Sequence, residues 1–239
     1  MSEHAYMAGA MPRRRLARQP QRPGAAAPLV LAGLCVVALA LVWVIAELVP
    51  AVQFKDAAAL HDFTLLSRPR VDGVANFLLH LLEPLQFVLW GTALVAIAIA
   101  RERPRVALAV IAVMALAPLT AETLKPLLAH PHVSVGGVSI GAASWPSGHS
   151  TAALALALSA LLVAPARLRP LVAGIGALFA LAVGCALLIL AWHMPSDVLG
   201  GYLVAMLWTA LAVAALRAAN RRWPTSRERL GPTGAPRPR

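Results

Sequence analysis

Long apolar runs broken by short polar interruptions set the pattern of this chain, and each run reaches the roughly 20 residues a helix needs to cross a bilayer. The first runs from Pro28 to Val49 after a polar tail, residues 1–27. The second ends at Ala100, with His80, Glu83 and Pro84 at its other end. The third covers Val106 to Leu124, the fourth starts near Ser147 and stops before Pro165, the fifth covers Leu171 to Trp192, and the sixth Pro195 to Leu216. Residues 51–76 carry mixed charge and form an outer loop with room for a short helix. Residues 126–148 have no charged side chain, are rich in Gly, Ser, His and Pro, and read as a second loop. The expected architecture is an all-α integral membrane protein, a six-transmembrane-helix bundle with both termini cytoplasmic. The span domain covers 28–219, and residues 220–239 form a basic, Pro-rich tail expected to be disordered.

Composition supports this reading. Apolar residues make up 59% of the 239 positions and charged residues 13%, against about 25% charged in soluble domains. Alanine and leucine dominate over aromatics, which favours helices over a barrel. The first run is too long for a cleaved signal peptide and is expected to stay as an anchor.

The net charge of +11 could suggest nucleic acid, but 17 of the 21 basic residues fall in four patches, 13–22, 101–105, 167–169 and 217–239. These patches alternate with the spans and mark one side of the membrane as cytoplasmic. No stacking or base-reading face accompanies them, so no nucleic-acid partner is expected. Cys35 and Cys185 both fall within spans and read as small core residues.

With this topology Lys125, the Trp145-Pro146-Ser147-Gly148-His149 turn and His193 all fall on the external side. Asp197 stands four residues after His193 in the first turn of a helix that starts with Pro195. From there its carboxylate can accept one imidazole N–H of His193, which fixes the tautomer and leaves the other nitrogen as a nucleophile. Gly148 opens the fourth span, where free backbone N–H groups favour an anion. Ser147 adds a hydroxyl donor, and His149 can protonate a departing oxygen. Lys125 supplies a fixed positive charge, and its near neighbour Glu122 is a possible ion-pair partner.

Lys125, then Pro146-Ser147-Gly148-His149, then His193-x3-Asp197 resembles the pattern of the type-2 phosphatidic acid phosphatase superfamily, which includes lipid phosphate phosphatases and is related to vanadium haloperoxidases. The resemblance covers about residues 75–215. It implies a six-helix bundle with an external site, no cofactor and no metal requirement for hydrolysis. It also implies a phosphohistidine on His193 oriented by Asp197, protonation of the leaving group by His149, and phosphoryl binding by Lys125, Ser147 and the Gly148 amide. Two motif positions depart from the family. His132-Val133 stand where it has Arg-Pro, and Ala186-Leu187 where it has Ser-Arg. His132 and His130 are the candidate replacements for phosphate binding, and Arg68 and Arg70 are more distant ones.

The expected function is hydrolysis of a lipid phosphate or (poly)prenyl diphosphate at the external face of the cell membrane, with the lipid bilayer and that substrate as partners. The alternative is a weak or inactive relative that binds lipid headgroups or scaffolds a partner. A transporter fits less well, since ionisable groups at mid-span are lacking.

Overall fold

A computed structural model describes residues 24–223. The terminal tails expected to be disordered lie almost wholly outside the described residues. The helices run past the expected limits, however, with Ala26 and Ala27 in the first and Asn220 to Arg222 in the last. The described chain forms eight α-helices: α1 (Ala26–Leu48), α2 (Pro50–Thr64), α3 (Pro69–His80), α4 (Pro84–Ala100), α5 (Pro104–Leu127), α6 (Gly148–Val163), α7 (Arg169–Ile189) and α8 (Pro195–Arg222). A short 3-10 turn, Ala166–Leu168, precedes α7. Six of the eight carry proline at the first or second helical position, where the missing N–H would have had no helical partner.

Four helices, α1, α5, α7 with its 3-10 turn, and α8, are long and apolar enough to cross a membrane. Together α3 and α4 qualify as a fifth, bent by 55°. The break at 81–83 falls where Pro84 removes an N–H and holds Glu83 out of the helical region. The protein is therefore a multi-pass membrane protein. The outer loop expected over 51–76 is instead mostly helix, because Pro50 and Pro69 each start a new helix.

At 16 residues, α6 rises only about 24 Å, yet it touches both ends of the bundle. Its N-terminal end meets α8 through Ser147 and Asp197, and its last carbonyl, on Val163, accepts from Arg103 at 3.2 Å. It is short because its start is recessed, with Ser147, Ser150 and Thr151 fully buried. Around it pack α4, α5, α7 and α8, and small side chains such as Ala152, Ala153 and Ala155 allow close approach.

Buried positions on α1 fall at Pro28, Ala32, Cys35, Leu39 and Ala46. This is a stripe of alternating three- and four-residue spacing that lies against α8. The other faces expose Leu29, Val30, Leu34 and Val37, as a lipid-facing surface does. Cys35 is buried as expected, but Cys185 is exposed because α7 turns that face outward beside Arg70.

Arg103, Arg105, Arg169 and Arg217 gather at one end of the bundle. Arg105 donates to Asn220 at 2.8 Å and Arg217 to the Gly24 carbonyl at 3.1 Å, so the starts of α1 and α5 meet the ends of α6 and α8. Lys125, His149 and His193 belong to the opposite ends of their helices.

Candidate active site

Three helix ends build the site: the C-terminal turn of α5, the start of α6, and the α7–α8 junction. The end of α7 turns sharply. Ala191 adopts φ +55°, the Ala191 N–H donates to Leu188 and the Trp192 N–H to Leu187. This is a Schellman closure with alanine at the position usually held by glycine. It projects Trp192 and His193 off the helix just before Pro195 starts α8.

His193 Nδ1 lies 3.1 Å from Asp197 Oδ2, and the same oxygen accepts the Met194 N–H at 3.0 Å. Asp197 therefore caps its own helix while holding the imidazole, which leaves His193 Nε2 as the free ring nitrogen. Asp197 is wholly buried. Asp56 of α2 adds a second cap, accepting from the Ser196 N–H at 3.2 Å and from the Ser196 hydroxyl at 2.6 Å. Burial pushes the Asp56 carboxyl up; the Ser196 hydrogen bonds oppose this and the nearby Asp197 charge adds to it.

On the α6 side, the Ser147 N–H donates to the Asp197 carbonyl at 2.9 Å. Ser147 Oγ caps the helix by accepting from the Ser150 N–H at 3.4 Å. The Ser150 and Thr151 amides are thus engaged, while those of Gly148 and His149 have no helical partner. The ring of His149 stands edge-on to Trp192, centroids 5.6 Å apart, and lies within electrostatic reach of His193 and Lys125. On α5, Lys125 Nζ bonds Glu122 Oε1 at 2.7 Å. A Cβ on Gly148 would come within 2.5 Å of that oxygen and 3.6 Å of the Lys125 nitrogen. The absent side chain lets the α5 charges approach the start of α6.

His132 and His130 lie beside Glu47. His132 Nε2 is 2.9 Å from Ser144 Oγ and its Nδ1 is 3.5 Å from Glu47 Oε2, while His130 Nδ1 is 3.8 Å from that oxygen. Both imidazoles thus lie near the end of α1, although the hydrogen-bond contact of His130 Nδ1 is with the Pro131 carbonyl at 3.0 Å. Their loop is shaped by Gly136 and Gly137 at positive φ between the bridged Val135 and Val138, a two-residue turn of the kind that needs φ > 0. Arg68 bonds its own loop carbonyls, Leu65 and Ser67. Arg70 borders an apolar groove of about 430 Å³ between α3 and α7.

The PAP2 superfamily model matches residues 78–221, more than half of the chain, enclosing Lys125, Ser147, Gly148, His149, His193 and Asp197. The chain belongs to the PAP2 superfamily. Its fold is similar to that of the crystal structure of a transmembrane PAP2-type phosphatidylglycerolphosphate phosphatase from Bacillus subtilis. That match has a TM-score of 0.64 and 24% identity, covering 81% of this chain and 98% of the other. No curated protein sequence matches. Within this PAP2 chain the two non-arginine motif positions have different surroundings. Leu187 is fully buried beside Leu79, Met194 and Val198, so that position serves packing. His132 joins the Glu47 group.

Sequence reasoning passed over Glu47, Asp56, Gly200 and Gly201. The signal for Glu47 was its place as the one charged residue of the first apolar run. The Gly200-Gly201 pair marks a close approach, since a Cβ on Gly200 would meet the Trp145 ring at 2.8 Å and one on Gly201 would overlap Ser150 Oγ and the Ser147 carbonyl.

Proposed function

We propose that this protein is a membrane phosphatase that hydrolyses a lipid phosphate or (poly)prenyl diphosphate through a phosphohistidine on His193. The observation that carries the reading is the buried Asp197 carboxylate on His193 Nδ1, beside the unpaired amides that open α6. Asp197 keeps the proton on Nδ1, so the Nε2 lone pair attacks phosphorus. The phosphorus–oxygen bond to the leaving group breaks, and His149 delivers a proton to the departing oxygen. Water then gives its proton to His149 and attacks the phosphohistidine. Inorganic phosphate leaves and His193 is regenerated.

Lys125, Ser147 Oγ and the Gly148 amide bind the non-bridging oxygens, with the α6 dipole adding to them. The family's two arginine positions hold His132 and Leu187, so the two-pronged contact that an arginine makes to phosphate is missing. Slow turnover is the expected consequence. The substrate is amphiphilic: an apolar groove of about 420 Å³ between α4, α6 and α7, lined by Trp90, Leu94, Leu156 and Phe179, suits a lipid tail. The positive-inside rule favours the cytoplasm for the arginine-rich ends of the helices, which supports an external site.

The test is a phosphate-release screen in detergent across polyprenyl, glycerolipid and sphingoid phosphates. His193→Ala abolishes release, and Asp197→Asn lowers it by roughly 10³- to 10⁴-fold, as loss of a histidine-orienting carboxylate does elsewhere. Release that persists in His193→Ala contradicts the reading.

A further inference from the structure

Around Asp197, the residue that holds His193, three donors from distant parts of the chain meet. Glu47 ends α1, His132 lies in the α5–α6 loop, and Asp197 opens α8; one ligand atom from each falls within 4.8 Å of the others. Glu47 is 2% exposed and Asp197 0%, and neither Glu47 Oε2 nor Asp197 Oδ1 has a hydrogen-bond partner. Two buried carboxylate oxygens with no donor repel one another and forgo solvation, an arrangement that calls for a cation between them.

The histidine suits that cation. His132 Nε2 is 2.9 Å from Ser144 Oγ, and an Nε2–H donated to the serine leaves the Nδ1 lone pair facing Glu47. Ring orientation by an outer hydrogen bond is how metal-binding imidazoles are usually held. The 3.5 Å from His132 Nδ1 to Glu47 Oε2 is too long for a hydrogen bond. It is close to the ~3.4 Å edge of a tetrahedron with ~2.1 Å metal–ligand bonds.

We infer that Glu47, His132 and Asp197 bind one divalent transition ion, Zn²⁺ or Mn²⁺, which ties α1 and the α5–α6 loop to the start of α8. One nitrogen and two carboxylates favour such an ion over Mg²⁺ or Ca²⁺, which take oxygen shells. Asp197 bridges, with Oδ1 on the ion and Oδ2 on His193. The ion touches no substrate and takes no part in phosphoryl transfer, so the site stands whether or not His193 is a nucleophile.

The test is the metal content of full-length protein purified in detergent without an affinity metal or chelator, joined to thermal unfolding after stripping and titration with Zn²⁺ or Mn²⁺. The expected result is close to one bound ion per chain, lost in Glu47→Gln and in His132→Ala. A rise of several degrees in Tm on adding the ion to stripped wild-type protein accompanies it, with no rise in the variants. Should either variant fail to fold, Co²⁺ titration of wild-type protein decides, through a visible absorption band of a bound mixed nitrogen–oxygen site. Protein that carries no metal and whose Tm ignores Zn²⁺ and Mn²⁺, or that binds the ion equally well in Glu47→Gln, overturns the inference. Phosphate release is not the readout, so a metal-bearing protein with no hydrolysis would sink the proposed function and leave this site standing.

Discussion

The Ser147 backbone N–H donates to the Asp197 carbonyl at 2.9 Å, and both residues are fully buried. This single bond joins the start of α6 to the start of α8, and so the anion-binding amides to the residue that orients His193. Gly201 keeps the two helices close enough to make it. A methyl group there would overlap the Ser147 carbonyl and Ser150 Oγ. Gly201→Ala is expected to cost about 1–3 kcal/mol and to lower phosphate release, read by thermal unfolding and initial rates in detergent. Gly174→Ala, where a Cβ meets nothing within 4 Å, is the neutral comparison.

Lys125 does not wait free for substrate. Glu122 Oε1 holds it at 2.7 Å and lies against Gly148, so a phosphoryl group must displace a carboxylate to reach the ammonium. Removing that competitor in Glu122→Gln is expected to lower KM for a lipid phosphate, and the vanadate inhibition constant, by about 3- to 10-fold. The size is modest because Glu122 is more than half exposed and the pair is screened by solvent. A rise in both constants would show that Glu122 assists binding.

Asp56 provides a pH signature. Burial raises its carboxyl in the folded protein, while the unfolded chain ionises near ~3.9. Between these values the unfolded state releases its proton first. Stability therefore falls as pH rises from about 4 toward the raised value and levels off beyond it. Asp56→Asn keeps an acceptor for Ser196 but loses that limb, so its Tm varies less with pH over this window than that of the wild-type protein. Parallel Tm curves would contradict the assignment.

Much of the fold was legible because a bilayer demands long apolar runs and arginine marks their ends. The starts of α5, α7 and α8 fall within two residues of those expected, although α8 runs six residues past Leu216, and Arg103, Arg105 and Arg217 do gather at one end. The break between α3 and α4, and the helices within 51–76, were less visible, since amphipathic helices at a membrane surface look like mixed loop sequence. The i, i+4 spacing of His193 and Asp197 carried the contact between them, because a helix start fixes where a first-turn carboxylate can reach. The surroundings of His132 were not legible. Its partner Glu47 lies 85 positions away, and tertiary contacts such as Trp43 Nε1 to the Leu128 carbonyl at 3.2 Å bring α1 to the end of α5 and the loop after it. Leu187 is similar: its burial against α3 and α8 residues, not its spacing from His193, decides what stands there.

The proposed reaction passes through a covalent bond between phosphorus and His193 Nε2. Purified protein mixed with a radiolabelled lipid phosphate and quenched in base, which preserves phosphohistidine, tests it directly. Label is expected on the peptide that contains His193 and is expected to be absent from His193→Ala. Phosphate release from an active preparation with no label on that peptide at any quench time would contradict it.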